Sequence, residues 1–375
     1  MVEVLVLGGG YASLSFIKSL PAKARAQYRI RLISQTPLHY FSVLLHEVLA
    51  GLKGQYTLPL SEILPKEVEF IQDRILEIQE GLVIAQEGSY RYDKLVVGLG
   101  FRSESFGVPG VEVCTQSITN FENAQETHQK LLNALQNFRE QRPFSVVVCG
   151  AGFSGVELVG ALSDTLPIIS QGKAFQITCI EAMPTILPMF KPTLAQKGFD
   201  YLQKLGVTME VGTKILACKS HGILVEKEGA QREILADFLV WTCGVRGSEV
   251  IDHSAFLKGV RGRVEVNSFL EPVHLPGKGI FILGDCAGVK TTQGRFYPPT
   301  AQLARQMGIY LAREFTHADT GQSKNPFIFS PQGTLCSFGT CYAIGQIGPF
   351  CVRGKVAIWI KKYIEWNWKR FLLGH

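Results

Sequence analysis

Twice in this chain a run of β-forming residues ends in clustered glycines and re-emerges as a helix, and this recurrence limits the fold more than any other feature. The stronger copy opens with Ser145 and reads SVVVCGAGFSGVELVGALSD, then, after a polar gap, FQITCIEAMPTILP. Val146 to Cys149 are consecutive β-formers, and Val156, Leu158, Val159 and Leu162 repeat with helical spacing. In a strand, turn and helix of this kind the three glycines have separate tasks. Gly150 makes the tight turn, Gly152 lets the backbone approach a pyrophosphate, and Gly155 lets helix and strand pack closely, with the helix N-terminus facing the anion. The second strand, Ile177 to Ile180, delivers Glu181, a carboxylate able to accept hydrogen bonds from both ribose hydroxyls. A 2'-phosphate there would be repelled by up to about 4 kcal/mol at ~4 Å and an effective dielectric near 20, so the unit reads as binding NAD(H) over NADP(H).

The weaker copy lies at the other end of the same half-chain. Val4 to Leu7 lead into Gly8-Gly-Gly10-Tyr11-Ala-Ser13, and Leu14, Ile17 and Leu20 continue as a helix. Ser13 stands where the third glycine belongs, and the next strand, Ile30 to Ile33, ends in Ser34-Gln35 with no acid. Gly8 and Gly150 lie 142 residues apart. That separation points to duplicated nucleotide domains, one for a flavin dinucleotide and one for the nicotinamide that reduces it. Tyr92 to Gly100 and Ala236 to Gly244 are matching strands that each end in glycine, and Gly279 to Asp285 is a buried strand with an acid at its carboxyl end, where α/β folds place ligands.

Bulk properties agree with two packed α/β domains. The 375 residues are 46% hydrophobic and 19% charged, which excludes disorder, and the net charge of +6 is too mild to suggest nucleic acid. A strand at the first residues leaves no room for a leader, and no apolar run is long enough to span a bilayer. Nine cysteines without CxxC spacing read as free thiols of a reducing compartment.

On these residues the chain resembles the two-dinucleotide flavoproteins, and within them the type II NADH dehydrogenases. The carriers are LHYFSVLLHEVLAG (38 to 51), the 146 to 160 and 179 to 190 stretches, DFLVWTCGVRG (237 to 247), IFILGDCAG (280 to 288) and YPPTAQLARQMG (297 to 308). The last is similar to the family's AQxxxQ signature. The resemblance implies a fold of two Rossmann-like domains followed by a short α+β membrane-facing segment. Its parts are residues 1–112 (FAD domain, first part), 113–248 (NAD domain), 249–325 (FAD domain, second part) and 326–375. It implies that Gly8, Gly10, Tyr11 and Ser13 hold the FAD pyrophosphate, with Ser34, Gln35, Ile75, Gly100, Gly284 and Asp285 also on the cofactor, Asp285 at the ribityl chain, and Ala301 against the flavin ring. NAD(H) would lie on Gly150, Gly152, Phe153, Gly155, Glu157, Glu181 and Gly244, and the quinone head group beside Gln302 and Gln306. Glu157 and Gln302 are the catalytic candidates. Glu157 reads either as a group for proton handling or NADH positioning, or as a first-turn acid paired with its helix dipole.

The activity so implied is hydride transfer from NADH to flavin, then two electrons to a membrane quinone, without ion pumping, on the inner face of the cell membrane. Rival readings are a sulfide:quinone oxidoreductase, a soluble NADH:acceptor reductase, and a redox-signalling flavoprotein. Sulfide chemistry would need a cysteine just after the second glycine turn, where Phe153 and Ser154 stand. Cys336 and Cys341 fall in a stretch read as one strand, Thr334 to Tyr342, whose five-residue span of roughly 16 Å separates them unless the chain bends at Gly339. Cys149, Cys179, Cys243 and Cys286 read as buried filling, and His39 and His46 as structural. In the tail, Ala357, Ile360, Ile364, Trp368 and Phe371 form one helical stripe with Lys361, Lys362, Glu365 and Lys369 mostly opposite. Rich in Lys, Arg and Trp, this helix suits the surface of an anionic bilayer, and the alternative is a face docked on its own protein or on a second subunit in a homodimer.

Overall fold

The computed structural model describes residues 1–291, 293–317 and 325–374. Two five-stranded parallel sheets dominate it. In the first, the order is Ile280–Ile282, Lys94–Val97, Val2–Leu7, Tyr28–Ser34, Val68–Gln72. In the second it is Gln116–Ser117, Phe238–Trp241, Phe144–Cys149, Phe175–Glu181, Thr208–Val211. The central strands are covered on both faces, so they read as unbroken apolar runs; every residue of Phe144–Cys149 is buried.

Each sheet carries a three-stranded antiparallel meander, between its third and fourth strands in sequence in the first half and between its fourth and fifth in the second. These are Ile75–Gln79, Leu82–Ala85 and Ser89–Arg91 in the first half, and Lys214–Lys219, Gly222–Lys227 and Ala230–Leu235 in the second. Both mixed α/β halves are thus built to one plan. The chain passes from one to the other through Phe101–Ser103 and returns through Val245–Gly247, and these two short strands pair antiparallel. Asn120 begins the second half by capping the helix Phe121–Asn137, its Oδ1 accepting from Asn123 N at 2.7 Å.

The first sheet is completed late in the chain. After Ile280–Ile282 the backbone turns through Gly284 and Asp285, and the helix Ala301–His317 then lays Leu303, Ala304, Met307 and Leu311 inward against the helix Tyr11–Ser19. The C-terminal part is a meander of Thr334–Ser337, Ala343–Ile347 and Phe350–Arg353 followed by the helix Lys355–Leu373. No described helix is long and apolar enough to cross a membrane.

Two expectations are corrected here. The segment from Thr334 to Tyr342 is not one strand: it ends at Ser337 and bends back through Gly339 at φ +81°, and both Cys336 and Cys341 are free thiols, one buried and one exposed. The inward face of the last helix also differs from the stripe read off the sequence. Ala357, Ile358, Trp368 and Leu372 are buried, Lys361 faces inward with them, and Ile364 is half exposed. The physical reason is electrostatic. A buried carboxylate on a neighbouring helix, Glu157, takes the Lys361 ammonium, and this sets which face of the helix turns in.

Candidate functional site

A cleft of about 600 Å³ opens at the carboxyl ends of the first parallel sheet. Its walls bring together Gly8, Gly10, Tyr11, Ser34, Gln35, Ile75, Gly100, Gly284, Asp285 and Ala301, which are far apart in sequence. Gly8 turns at φ +91°, and Gly10 begins the helix Tyr11–Ser19, so the first helical N–H groups face the cleft. Among the described residues Gly10 N–H has no acceptor, and a β-carbon on Gly10 would meet little but open space. That is a cradle an anionic dinucleotide fits.

Ser13 lies behind the wall, fully buried, and its place explains the missing glycine. Its Oγ occupies the volume that a β-carbon on Gly98 would need, at the end of the neighbouring strand. In the second half the arrangement is reversed. Thr242 stands at the matching strand end, its Oγ1 donating to Cys149 O at 2.7 Å, and a β-carbon on Gly155 would collide with that hydroxyl and with Gly150 O. One side of each helix–strand contact must lack a side chain, and the two halves solve this with opposite members of the pair. Gly98 is therefore a residue of the first fingerprint that the sequence pattern alone did not single out.

Asp285 points into the cleft with its carboxyl pushed up to about 6 by burial, against the pull of Arg263. A carboxyl so placed exchanges polar hydroxyl partners for the solvent it has lost, which suits a polyol chain. Asp73, Arg74, Glu122 and Glu249 line the same cleft from loops and helices that carry no motif.

The second cradle follows the same plan. Gly150 turns at φ +99°, Gly152 starts the helix Phe153–Ile169, and a β-carbon on Gly152 would meet nothing within 4 Å. Glu181 ends its strand with both oxygens oriented by the backbone: Ala151 N–H donates to Oε2 at 2.7 Å and Met183 N–H to Oε1 at 2.9 Å. This holds the carboxylate beside the glycine turn with its remaining lone pairs outward. Gly244 sits at the return crossing, its carbonyl accepting from Glu104 N at 3.1 Å with the Phe106 ring against it.

Glu157 is neither exposed nor simply a first-turn acid. It is buried where both halves and the C-terminal segment meet, and its Oε1 accepts from Ser337 N at 3.0 Å, Ser337 Oγ at 2.9 Å and Lys361 Nζ at 2.6 Å. Burial pushes this carboxyl up, but the charge of the Lys361 ammonium, His46 and the hydrogen bonds it accepts outweigh that and hold it below the ordinary carboxylate range. His46 Nδ1 is 3.6 Å from Oε2, yet burial lowers that imidazole to about 4, so the charged partner of Glu157 at neutral pH is Lys361. Glu365, on the same helix as Lys361, is raised to about 7, by burial first.

Gln302 and Gln306 project from the start of the helix Ala301–His317, and both amides engage one extended segment. Gln302 Oε1 accepts from Gln332 N at 3.1 Å, while Gln306 Nε2 donates to Ser330 O at 2.8 Å and its Oε1 accepts from Ser330 N at 3.0 Å. They fix the 330–333 segment alongside the helix whose first residue, Ala301, borders the cleft. Of the four cysteines read as buried filling, Cys149, Cys179 and Cys286 are buried and Cys243 is half-buried beyond its strand.

Fold and cradles define a protein with two dinucleotide-type cradles in one polypeptide. The chain belongs to the pyridine nucleotide-disulphide oxidoreductase family, which it matches over residues 2–308, and within it to the type II NADH:quinone oxidoreductases. It is 34% identical to the type II NADH:quinone oxidoreductase of Staphylococcus aureus over 383 aligned positions, covering 97% of this chain and 94% of that protein. Its fold matches NDH2 from Plasmodium falciparum in complex with NADH, with a TM-score of 0.88 at 17% identity over 99% of this chain and 96% of the other. The sulfide:quinone oxidoreductase of Aquifex aeolicus shares the fold at a TM-score of 0.80 and 23% identity, over 100% of this chain and 93% of that one.

Proposed function

We propose that this protein oxidises NADH and reduces a membrane quinone through FAD, without ion translocation. The match to type II NADH:quinone oxidoreductases along nearly the whole chain carries the reading. Bound FAD supplies a carrier that accepts a hydride from one substrate and returns two electrons to another. NADH docks on Gly150, Gly152, Phe153 and Gly155, with Glu181 reading the ribose hydroxyls, and leaves as NAD⁺. The quinone takes two electrons and two protons at the Gln302 end of the cleft, where Gln302 and Gln306 hold the 330–333 segment as a wall. We assign Glu157 to NADH positioning and not to proton exchange, because the Lys361 ammonium that donates to it holds its carboxylate ionised at neutral pH.

The inner face of the cell membrane is the place this reading requires. Its support is the outward side of the last helix, where Trp359 (77% exposed), Tyr363 and Trp366 stand with Lys355 and Lys362, next to an exposed Phe350. Aromatic rings beside ammonium groups suit the headgroup region of an anionic bilayer. A sulfide:quinone activity is not favoured: no cysteine lines the cleft among the described residues, and persulfide exchange needs paired thiols.

The test is anaerobic. NADH added to the yellow protein should bleach the flavin band, and a short-chain quinone should restore it. Absence of bleaching refutes the proposal, and bleaching without recovery by quinone points to a different acceptor.

A further inference from the structure

The C-terminal helix reaches the first glycine turn through two side chains. Trp368 is 5% exposed, stacked on Tyr11 with ring centroids 4.8 Å apart at 22°, and the Arg305 guanidinium lies 5.8 Å from its ring centre. A buried indole N–H needs an acceptor, and Trp368 Nε1 finds His39 Nε2 at 3.1 Å. Indole can only donate, so His39 Nε2 must carry a lone pair and the ring proton must sit on Nδ1. That Nδ1–H donates to Gly9 O at 3.0 Å. His39 is itself 1% exposed, and burial lowers its titration to about 4, which keeps the ring neutral as this arrangement requires.

The consequence follows from the planarity of one peptide. Gly9 C=O and Gly10 N–H belong to the same unit, which is trans, and point in opposite directions. Fixing the carbonyl toward His39 aims the Gly10 N–H the other way, into the cleft, where it lacks an acceptor among the described residues. The peptide lies in a run of three glycines, where the backbone is least restrained by its own side chains.

We propose that His39 and Trp368 are positioning residues for the dinucleotide phosphates: Trp368 sets the His39 tautomer, His39 anchors Gly9 O, and the Gly10 N–H is thereby held on the FAD pyrophosphate. The C-terminal helix is then a working part of the flavin site as well as a surface element. This rests on the first cleft being the FAD cleft, and a protein purified without flavin would remove that premise before any variant is made.

The experiment follows the release of FAD from the full-length holoprotein on dilution, read as free-flavin fluorescence. His39→Leu keeps an apolar side chain and loses the donor; it should release FAD about tenfold faster, or about 1.4 kcal/mol. His39→Asn places an amide N–H where Nδ1–H was, and should stay within about threefold of the parent. Trp368→Phe keeps a stacking ring without the indole N–H and should fall between the two. Equal loss in His39→Asn and His39→Leu would reduce the pair to packing and overturn the proposal, as would parent-like release in His39→Leu. If His39→Leu does not fold, Trp368→Phe decides: faster release at unchanged circular dichroism supports the proposal, and unchanged release sinks it.

Discussion

Lys361→Met removes one charge from a buried pair and leaves the other in place. At 2.6 Å the attraction between Lys361 Nζ and Glu157 Oε1 is about 6 kcal/mol at an effective dielectric near 20, most of it offset by the cost of taking both groups out of water. Truncating a single partner forfeits the attraction and keeps the other desolvation cost, so the variant should lose about 3–5 kcal/mol at neutral pH. The dependence on pH identifies the cause. In the parent, the depressed Glu157 contributes stability above its ordinary value near 4.5 that is lost as pH falls through its lower folded value. The raised Lys361 contributes stability below 10.5 that is lost as pH rises through its higher one. In the variant the ammonium is gone and burial dominates, so the Glu157 carboxyl rises; a raised carboxyl loses stability as pH increases through it. Glu47 and Glu365, both already raised by burial and both relieved by Lys361, move the same way. The deficit should therefore widen from pH 5 to pH 8, as measured by thermal midpoints of parent and variant in excess FAD. The double variant with Glu157→Gln should recover most of it, since both charges are then absent and a Gln carbonyl still accepts from Ser337. A deficit constant across that range, or no recovery in the double variant, refutes the electrostatic account.

Gln302→Ala should slow reoxidation by quinone about tenfold while leaving reduction by NADH within about twofold, because it frees the 332–333 backbone without touching the second cradle; stopped-flow of each half-reaction would show it, and equal slowing of both would contradict the assignment. Glu181→Ala should narrow the preference for NADH over NADPH, and should also weaken NADH binding, since Ala151 and Met183 N–H lose their acceptor; the ratio of kcat/KM values tests both. Asp285, raised to about 6, contributes stability to the flavin-free protein that is present at acid pH and lost as pH rises through that value. Thermal midpoints of apoprotein should accordingly fall between pH 5 and 7, and Asp285→Asn should flatten that slope.

Legibility of the fold in the sequence followed the range of the interactions involved. Strand, glycine turn and helix are set by contacts within about twenty residues, and both cradles fall where apolar spacing and the turn residues place them. Ser13 weakens the fingerprint in the sequence because its compensation, Gly98, lies at the end of a strand that becomes a neighbour only after folding. The single strand over 334–342 fails for a related reason, since β-branched and aromatic propensity on both sides of one glycine reads as continuous, and the bend named as its alternative at Gly339 is the one the chain makes. Charge alone places Lys361 on the outer face, an expectation that fails wherever a buried carboxylate waits on another element.

The last helix shows why that failure is informative. Two of its inward residues are polar at their tips, and each ends on a different part of the chemistry. Lys361 reaches Glu157 on the helix of the second cradle, and Trp368 reaches His39 and through it the glycine turn of the first. A helix required only to cover apolar surface would have used leucine at both positions, at no desolvation cost. Its seven-residue step from 361 to 368 is two turns, about 10 Å along the axis. The same surface element therefore spans from one nucleotide cradle to the other. Displacing it would release the charge on Glu157 and the tautomer of His39 together, so loss of FAD and the pH-dependent loss of stability should appear in the same C-terminal variants.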